Sequence, residues 1–350
     1  MKNQTKYLRV VNAPHLLEIQ LNGQMHFLNH KGFEVYLVSP GSCPPTLKSF
    51  VHFKVPMTRR LSPLKDLVSL IKLVWIVLKI RPDIIHSHTP KAGLLSMISA
   101  KLIGVPIRIH TIPGLPQSTA FKWEAMALNL SDFITMRYAT KVLFNSANLL
   151  QSQSDKYPKL RDKFGIIHNG SSNGIDIRRF SANQHHPDKI DQQQFKSSLF
   201  TWIYVGRIHQ HKGIRELLDA FFLFDKNYPG KSQLIIIGEF DAARNSIKNN
   251  WIDRLSLENS NIHFKGFKTN VKDWLEISDV FLFPSYREGF PNALLEAACF
   301  GLPCIASEID GNNEIIIDGK NGLLVPSRDT QKLYDAMKLM YHSPELRESF

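Results

Sequence analysis

One stretch decides the fold prediction for this chain: Arg287-Glu288-Gly289-Phe290-Pro291-Asn292-Ala293-Leu294-Leu295-Glu296-Ala297-Ala298. The apolar run Val280–Phe283 before it is typical of a buried strand, which Pro284 and Ser285 end. Pro291 suits the first position of a helix, and Gly301 suits the residue that stops it. The stretch therefore predicts a strand, a loop and a helix in that order.

Two glutamates belong to this unit, Glu288 in the loop and Glu296 within the helix. An ionised carboxylate accepts several hydrogen bonds, which suits a ligand rich in vicinal hydroxyls. The amides of Gly289, Phe290 and Asn292, in a loop that leads into a helix, suit oxygens or phosphates. Together these groups predict a nucleotide sugar as the ligand. Two surface glutamates beside an ordinary sheet-packing helix are the alternative.

The alternation of strand and helix runs through all 350 residues. It predicts an α/β fold with two doubly wound domains, whose ligands bind in the crevice at the carboxyl ends of the strands. The length fits two domains, which we place at residues 1–180 and 200–350, joined by a polar linker over 181–199. The predicted strands are 7–12, 34–39, 84–88, 108–111, 141–145 and 164–168 in the first domain and 201–206, 233–238, 262–267, 279–283, 303–307 and 322–326 in the second.

Composition narrows the class of protein. Hydrophobic residues make up 43% of the chain and charged residues 21%, which is typical of globular proteins. Three cysteines in mostly apolar surroundings argue against a disulfide framework and favour a reducing compartment. The first residues lack the apolar core of a signal peptide, and no run of about 18 apolar residues predicts a membrane span. We therefore expect a cytoplasmic protein.

Charge is distributed unevenly along the chain. Residues 1–180 hold 24 Lys and Arg against 9 Asp and Glu, whereas residues 181–350 hold 19 against 22. A basic half predicts an anionic partner, which could be a phospholipid surface, a diphosphate or a nucleic acid. Nucleic acid is the weakest of the three, because the sequence contains no known binding module and no basic face with interleaved aromatic residues.

Two cations near the start of the second domain are placed to bind a diphosphate. In Tyr204-Val205-Gly206-Arg207-Ile208-His209-Gln210-His211-Lys212-Gly213, Arg207 follows a strand and Lys212 opens the next helix. Fixed cations there can neutralise a diphosphate leaving group, the task that a metal ion performs elsewhere. We therefore predict that no metal and no other cofactor is required. Two exposed cations in an ordinary loop are the alternative.

Three further segments have a possible functional interpretation. Gly23 opens the first helix, where its backbone could approach the diphosphate, and a turn glycine is the alternative. His86 and His88 share one face of a strand, but no third ligand follows at a standard spacing, so zinc is not predicted. Glu308 and Asp310 have the spacing of an acid-x-acid metal motif, but they follow a strand and are interpreted as a loop near the ligand.

In their order along nearly the whole chain, these motifs resemble the retaining glycosyltransferases of family four (group 1), which have the GT-B fold. Glu288 and Glu296, with seven residues between them, carry the resemblance together with the V-G-R-x-x-x-x-K-G spacing at 205–213. The strings H-T-P-K-A-G at 88–93 and N-G-S-S-N-G-I-D at 169–176 are similar to bacterial capsule, O-antigen and lipid-linked-oligosaccharide transferases. The resemblance implies two Rossmann-like domains facing a central cleft, and a further helix after Phe350 that crosses back to the first domain.

The resemblance also implies roles for individual residues. Glu288 would support the transferred sugar and Glu296 would bind ribose hydroxyls. Family members place a histidine near His110, facing the sugar, so His110 and Glu288 are the predicted catalytic residues. Many relatives carry histidine where Pro113 stands, so the position to which His110 corresponds is open, and a buried strand histidine is the alternative. The predicted donor-binding residues are Gly23, Arg207, Lys212, Gly289, Phe290, Pro291, Asn292 and Glu296.

The function implied is transfer of a hexose or N-acetylhexosamine, with retained configuration, from a nucleoside diphosphate sugar, with a UDP-sugar preferred. The acceptor implied is a glycan on polyprenyl diphosphate. A sugar-nucleotide epimerase of the same fold is the first alternative, since it needs carboxylates near the sugar but no acceptor. A phosphorylase would need a pyridoxal lysine, for which no motif is found. A basic nucleic-acid binder without enzymatic activity is the last alternative.

The acceptor and membrane side is predicted over residues 59–91. Lys65, Lys72 and Lys79 recur every seven residues, so they share one stripe of an otherwise apolar helix that is too short to span a bilayer. We predict that this stripe rests on anionic headgroups at the inner face of the cytoplasmic membrane. A sheet-packing helix that shows one lysine stripe to water is the alternative. The residues predicted on this side are Arg59, Arg60, Lys72 and Lys91.

Overall fold

The chain folds into two compact units, residues 1–174 and 175–350. The computed structural model describes residues 4–58, 62–119, 122–177, 199–240 and 261–350. The predicted linker at 181–199 lies outside the described residues except for Leu199. Each unit contains one parallel sheet with helices packed against it.

The sheet of the first unit has seven parallel strands. They are β1 (Lys6–Val11), β2 (Glu34–Ser39), β3 (Val51–Lys54), β4 (Ile84–His88), β5 (Ile107–Ile112), β6 (Lys141–Phe144) and β7 (Phe164–Ile166). Their order is β3-β2-β1-β4-β5-β6-β7, so the direction of winding changes between β1 and β4. All six strands predicted here are confirmed. Strand β3 was not predicted, because none of its four residues is fully buried and it lacks an apolar run.

Helices cover both faces of this sheet. They are α1 (Asn22–His30), α2 (Pro63–Ile80), α3 (Pro90–Ile103), α4 (Lys122–Tyr138) and α5 (Ala147–Lys156). Side chains alternate along β1, so Tyr7 and Val11 pack with Met25 of α1, while Leu8 and Val10 pack with residues of α2, α3 and α4. Helix α3 lies between α2 and α4 on that second face.

The second unit repeats the arrangement with six parallel strands, all of them predicted. They are β8 (Phe200–Val205), β9 (Ser232–Ile237), β10 (Ile262–Phe264), β11 (Val280–Phe283), β12 (Cys304–Ser307) and β13 (Leu323–Val325). Their order is β10-β9-β8-β11-β12-β13, so here the winding changes direction between β8 and β11. Both central strands are buried on both faces, as expected when helices cover a parallel sheet.

The described helices of the second unit follow the same logic. They are α6 (Ile214–Asn227), α7 (Val271–Glu276), α8 (Asn292–Cys299), α9 (Asp310–Asn313), α10 (Thr330–His342) and α11 (Pro344–Ser349). Leu217, Phe221 and Phe224 recur on one side of α6 and are fully buried in the core. Helix α8 begins one residue later than predicted, because Pro291 has extended backbone angles and only Asn292 is helical. Both units are therefore doubly wound and Rossmann-like, as predicted.

Candidate functional site

The residues predicted to bind the ligand lie where the winding of the second sheet changes direction. Strands β8 and β11 pair in parallel at the middle of the sheet, with Val280 opposite Trp202. Loops that leave the carboxyl ends of two such strands diverge, which makes this point the usual ligand crevice of an open α/β sheet. The loop after β8 carries Arg207 and Lys212, and the loop after β11 carries Glu288.

Lys212 and Glu288 form an ion pair. The Lys212 ammonium donates a hydrogen bond to Glu288 Oε1, and the two side chains are only 20% and 14% exposed. Lys212 Nζ also lies 5.5 Å from the ring centre of Phe283, the last residue of β11. Because the pair is largely shielded from water, removing one partner leaves the other charge in a partly desolvated position. Two residues for which separate roles were predicted therefore interact directly.

The same two loops are joined through their backbones. The N–H of Tyr286 donates to the His211 carbonyl at 2.9 Å. Gly213 has a φ of +67°, and a Cβ at this position would overlap the carbonyl oxygen of Pro284. The Tyr286 hydroxyl donates to Glu216 at 2.6 Å, and burial followed by this hydrogen bond raises the pKa of Tyr286. These contacts fix the spacing of the loops and hence the position of the ion pair.

The side chain of Tyr204 stabilises the loop after β8, a role that the sequence analysis did not predict for this residue. Its side chain is fully buried, and its hydroxyl donates to the carbonyl oxygen of Arg207 at 3.0 Å. Burial raises the pKa of Tyr204 well above its usual value, and the Glu288 carboxylate adds to the rise. The hydroxyl therefore stays protonated and holds the backbone of Arg207, whose side chain is exposed. In the sequence Tyr204 has no feature that separates it from other aromatic residues of buried strands.

The loop that enters α8 brings the other predicted ligand-binding residues beside Glu288. Residues 289–292 are half-buried or buried and lead directly into the helix. A Cβ on Gly311 would lie 2.7 Å from the Gly289 carbonyl oxygen, so the first turn of α9 packs against this loop. Glu308 lies in the loop before α9 as predicted, whereas Asp310 is the first residue of that short helix and not a loop residue. Glu296 lies within α8 and is half-buried. The pKa of Cys299 is raised first by the burial of its thiol and second by the negative charge of Glu296.

In the first unit, Gly23 is the second residue of α1, which follows β1. A Cβ at this position would meet no atom within 4 Å. The described structure therefore has room for a side chain there, and no contact within it requires glycine.

The residues predicted for the acceptor side are separated by the structure. The Lys91 ammonium in the first turn of α3 binds both carboxylate oxygens of Asp66 in α2, at 2.8 and 3.0 Å. This ion pair ties the beginnings of the two helices together. Lys72 is exposed on α2. Arg59 and Arg60 lie outside the described residues.

His110 is buried within the first unit. Strand β5 continues two residues beyond it, to Ile112, and its side chain is 1% exposed. His110 Nδ1 shares a hydrogen bond with the Ser87 hydroxyl at 2.8 Å, and a Cβ on Gly93 of α3 would overlap the ring. Burial lowers the pKa of His110 to about 3, so the ring is neutral at neutral pH. This is the environment of the alternative interpretation, a buried strand histidine, and the catalytic role of His110 stays a prediction.

A buried polar cluster lies on the other face of the same strands, and the sequence analysis identified only its two histidines, His86 and His88. Arg9 of β1 donates to the Tyr7 hydroxyl at 3.2 Å, and its guanidinium is 3.5 Å from His88 Nδ1. His86 bonds to the hydroxyls of Tyr7 at 2.6 Å and Thr111 at 2.7 Å. Burial, followed by the Arg9 charge, lowers the pKa of both histidines. Within the described ranges, no three His, Cys, Asp or Glu side chains are grouped as metal ligands.

Two family profiles match the chain, each within one of the two units. The family described as "Glycosyltransferase Family 4" matches residues 24–172. The family described as "Glycosyl transferases group 1" matches residues 186–350.

Individual relatives are similar over most of their length. The capsular polysaccharide biosynthesis glycosyltransferase CapM of Staphylococcus aureus is 31% identical over 100% of this chain and 90% of its own. The UDP-Gal:alpha-D-GlcNAc-diphosphoundecaprenol alpha-1,3-galactosyltransferase of Escherichia coli is 28% identical over 90% of this chain and 81% of its own.

Solved structures show the same fold. Anabaena Alr3699/HepE in complex with UDP-glucose matches with a TM-score of 0.77 at 19% identity, over 99% of this chain and 92% of that one. WaaG, a glycosyltransferase involved in lipopolysaccharide biosynthesis, matches with a TM-score of 0.74 at 15% identity, over 98% and 92%. The fold is GT-B. Since one profile accounts for each unit and CapM exceeds 30% identity over the whole chain, this protein belongs to the family 4, group 1 glycosyltransferases.

Proposed function

We propose that this glycosyltransferase moves a hexose or N-acetylhexosamine from a UDP-sugar to a glycan on polyprenyl diphosphate, with retention of configuration. The observation that carries the proposal is the Lys212–Glu288 pair at the carboxyl ends of β8 and β11, on the loops that also hold Arg207. The pair combines a carboxylate that can accept hydrogen bonds from a sugar with a cation fixed for a diphosphate.

The charges of Arg207, Lys212 and Glu288 are each opposite in sign to a charge that develops on the substrate during transfer. When the bond between the anomeric carbon and the diphosphate oxygen breaks, negative charge grows on the diphosphate and positive charge on the sugar ring. Arg207 and Lys212 stabilise the first, and Glu288 stabilises the second. Lys212 and Glu288 already hold each other in place, so little reorganisation is needed at the moment of reaction. Glu296 is assigned to the ribose hydroxyls, and the Gly23 amide to the diphosphate.

The acceptor assignment is supported by the names of relatives. The Escherichia coli relative acts on alpha-D-GlcNAc-diphosphoundecaprenol, and a 23% identical Campylobacter jejuni relative on an N,N'-diacetylbacillosaminyl-diphospho-undecaprenol. CapM is named for capsular polysaccharide biosynthesis. We therefore place this enzyme in the synthesis of a bacterial cell-surface polysaccharide, peripherally bound at the inner face of the cytoplasmic membrane, where such acceptors are found.

A thermal-shift panel tests the donor. Because a ligand that binds the folded state raises its stability by about 2.7 kcal/mol at a hundred times its Kd, UDP and one UDP-sugar should raise the melting temperature. ADP, GDP and CMP are the comparison nucleotides, and Arg207→Ala/Lys212→Ala is the matched variant that should lose the shift. Protection by ADP or GDP without protection by UDP would contradict the choice of base.

A product assay tests the acceptor and the stereochemistry. The enzyme is incubated with the UDP-sugar from the panel and a short-chain polyprenyl diphosphate glycan, and the new linkage is examined by NMR. We expect a product whose anomeric configuration matches that of the donor. An inverted product contradicts retention, and an epimerised UDP-sugar formed without acceptor favours the epimerase alternative.

A further inference from the structure

Helix α2 exposes a face built of large apolar side chains. Six of them, between 48% and 82% exposed, lie at spacings of three, four and seven residues: Leu64, Leu67, Val68, Ile71, Trp75 and Leu78. At 100° per residue they cover about 100° of the helix surface, centred opposite the buried residues Leu73 and Val77. Helix α2 is therefore apolar toward the sheet and also apolar toward the outside.

Helix α4 carries a second apolar stripe on its outer side. Trp123, Met126, Leu130 and Phe133 are between 42% and 71% exposed. Helices α2 and α4 flank α3 on one face of the first sheet, so their outer sides face in the same direction. Exposed apolar stripes of this size on one face of a unit mark an interaction surface. We call the exposed residues of these two helices the α2/α4 surface.

The charges on the α2/α4 surface all have one sign. The exposed positions of α2 include Lys65, Lys72 and Lys79, which lie along one edge of its apolar stripe, and those of α4 include Lys122 and Arg137. None of the exposed positions on α2 or α4 in the described chain is acidic.

The acidic residues of both helices are buried or half-buried. Asp66 of α2 is half-buried and binds Lys91. On α4, Asp132 is buried and accepts a hydrogen bond from Gln117 at 3.0 Å, and Glu124 is half-buried. The surface is thus apolar at its centre and purely cationic among its charged groups.

We propose that the α2/α4 surface inserts into the headgroup and upper acyl region of an anionic bilayer. Apolar residues would enter the boundary, Trp75 and Trp123 would sit at its polar level, and the lysines would contact anionic headgroups. A second copy of this chain is a poorer occupant, because pairing the surface with itself would bring the same five cations together with no acid to compensate them. No helix in the described residues is both long and apolar enough to cross a membrane, so the contact is with one leaflet.

This inference deepens the proposed function, on which it rests for the choice of a lipid-linked acceptor. It also changes the sequence-based hypothesis about the lysine stripe. The three lysines are exposed as predicted, but they border an apolar face, so attachment is not electrostatic alone. Binding that depends only on charge is suppressed when the screening length falls to about 3 Å at 1 M salt, whereas apolar insertion is not.

Vesicle co-sedimentation with the full chain tests the proposal. We expect binding to phosphatidylglycerol-containing vesicles that weakens less than tenfold between 0.1 and 1 M NaCl. The double change Ile71→Asn/Met126→Asn should weaken it at least tenfold. The matched control is Ile19→Asn/Phe27→Asn, which removes two side chains of similar exposure, 61% and 60%, in and just before α1 on the other face of the sheet. The control should bind vesicles like the wild type.

Fluorescence separates insertion from adsorption at the headgroups. Brominated lipids should quench the wild-type tryptophan emission, and Trp75→Phe/Trp123→Phe should remove that quenching without abolishing binding. The proposal is overturned if binding disappears at 1 M NaCl, if Ile71→Asn/Met126→Asn binds like the wild type, or if light scattering shows a dimer that this variant dissociates. Protection by UDP and transfer to a water-soluble acceptor are read in parallel. If the wild type shows neither UDP protection nor transfer, the proposed function is contradicted. If it shows both but does not bind vesicles, only the membrane role of the α2/α4 surface is contradicted.

Discussion

At the scale of single residues, the main result is that two motifs of the second unit meet in one ion pair. Lys212 comes from the segment after β8, and Glu288 from the segment after β11. Their side chains are mostly buried, so neither charge is an ordinary surface charge. The pair is where the electrostatic demands of a diphosphate and a sugar can be met together.

The first prediction concerns the cations. Lys212→Ala and Arg207→Ala should each reduce transition-state stabilisation by about 2–4 kcal/mol, as the loss of one preorganised charge does. Because Lys212 also compensates Glu288, Lys212→Ala/Glu288→Gln should lose less kcat/KM than the product of the two single losses. Steady-state kinetics with the UDP-sugar checks this, with melting curves to confirm folding. A fall of less than tenfold in both single variants would show that these cations do not act on the leaving group.

The second prediction separates the two glutamates. Glu296→Gln should weaken UDP affinity, whereas Glu288→Gln should mainly lower kcat. An amide keeps the size of the side chain but loses the stronger charge-assisted hydrogen bonds of a carboxylate. Titration calorimetry with UDP and single-turnover kinetics measure the two effects, and the opposite pattern would exchange the roles.

The third prediction uses the open space around Gly23. Gly23→Ala should leave thermal stability unchanged or slightly raised, since alanine is favoured over glycine in helices by about 1 kcal/mol and nothing in the described structure lies within 4 Å of the new Cβ. If the diphosphate approaches this backbone, the same change should weaken UDP binding at least fivefold. Unchanged affinity in calorimetry would remove Gly23 from the donor site.

At the scale of elements, the centre of the first sheet is unusually polar. Strands β1, β4 and β5 together bury Arg9, His86, His88 and His110, and each makes hydrogen bonds within the sheet or lies against the Arg9 guanidinium. Burial lowers the pKa of all three histidines. Because these rings stay neutral in the folded protein but can take up protons in the unfolded chain, the stability of this unit depends on pH.

The fourth prediction follows from these pKa shifts. With folded-state pKa values below the ordinary 6.5, the three histidines bind more protons in the unfolded chain, so their stabilising contribution is complete above pH 6.5 and is lost as the pH falls. Each can remove up to about 1.4 kcal/mol per pH unit. Burial raises the pKa of Asp132 to about 6, and it also raises the pKa of Asp219 and Asp279 in the second unit, where neither side chain is fully buried. These carboxyl groups act in the opposite direction and offset part of the effect. Stability should therefore fall steeply between pH 6.5 and 4.

Urea unfolding at pH 7, 6 and 5 measures this slope. His88→Asn should make the dependence shallower, whereas His30→Asn, which changes an exposed histidine of α1, should leave it as it is. A urea midpoint that does not change between pH 7 and 5 would show that the buried histidines do not titrate as expected.

At the scale of the whole molecule, the two units have the same winding but different chemistry. Cations and carboxylates meet in loops at the switch point of the second sheet, whereas the first unit buries His86, His88 and His110 in its sheet and exposes the lysines of α2. The family profiles divide along the same line, with one profile in each unit.

The fifth prediction is that UDP binds the enzyme, and protects it against thermal unfolding, equally well in the presence of EDTA. Arg207 and Lys212 supply positive charge where many nucleotide-sugar enzymes use a metal ion. Melting temperatures with UDP are compared in EDTA and in Mg²⁺ or Mn²⁺. Loss of the UDP shift in EDTA, restored by adding the ion, would contradict the prediction.

Secondary structure and the positions of the main motifs could be predicted from the residues alone. Apolar runs, helix-period patterns and turn residues are local signals, so all twelve predicted strands are confirmed, and Glu288 and Glu296 lie in loop and helix as expected. Strand β3 was not predicted, because an edge strand can be short and only partly buried. The start of α8 was misplaced by one residue, since a proline at a helix start can serve as the cap or as the first residue.

Which groups are in contact, and which helix faces point outward, could not be predicted, because both depend on how distant parts of the chain pack together. Lys212 and Glu288 are 76 residues apart in sequence, and the approach of Arg9 to His88 joins two strands whose residues are 79 positions apart. Helix α2 makes the same point, because it is apolar on nearly every side and its pattern could not show which side faces the sheet. A local pattern shows which residues share a face of a helix or strand. Whether that face is buried depends on the neighbouring elements that the fold packs against it.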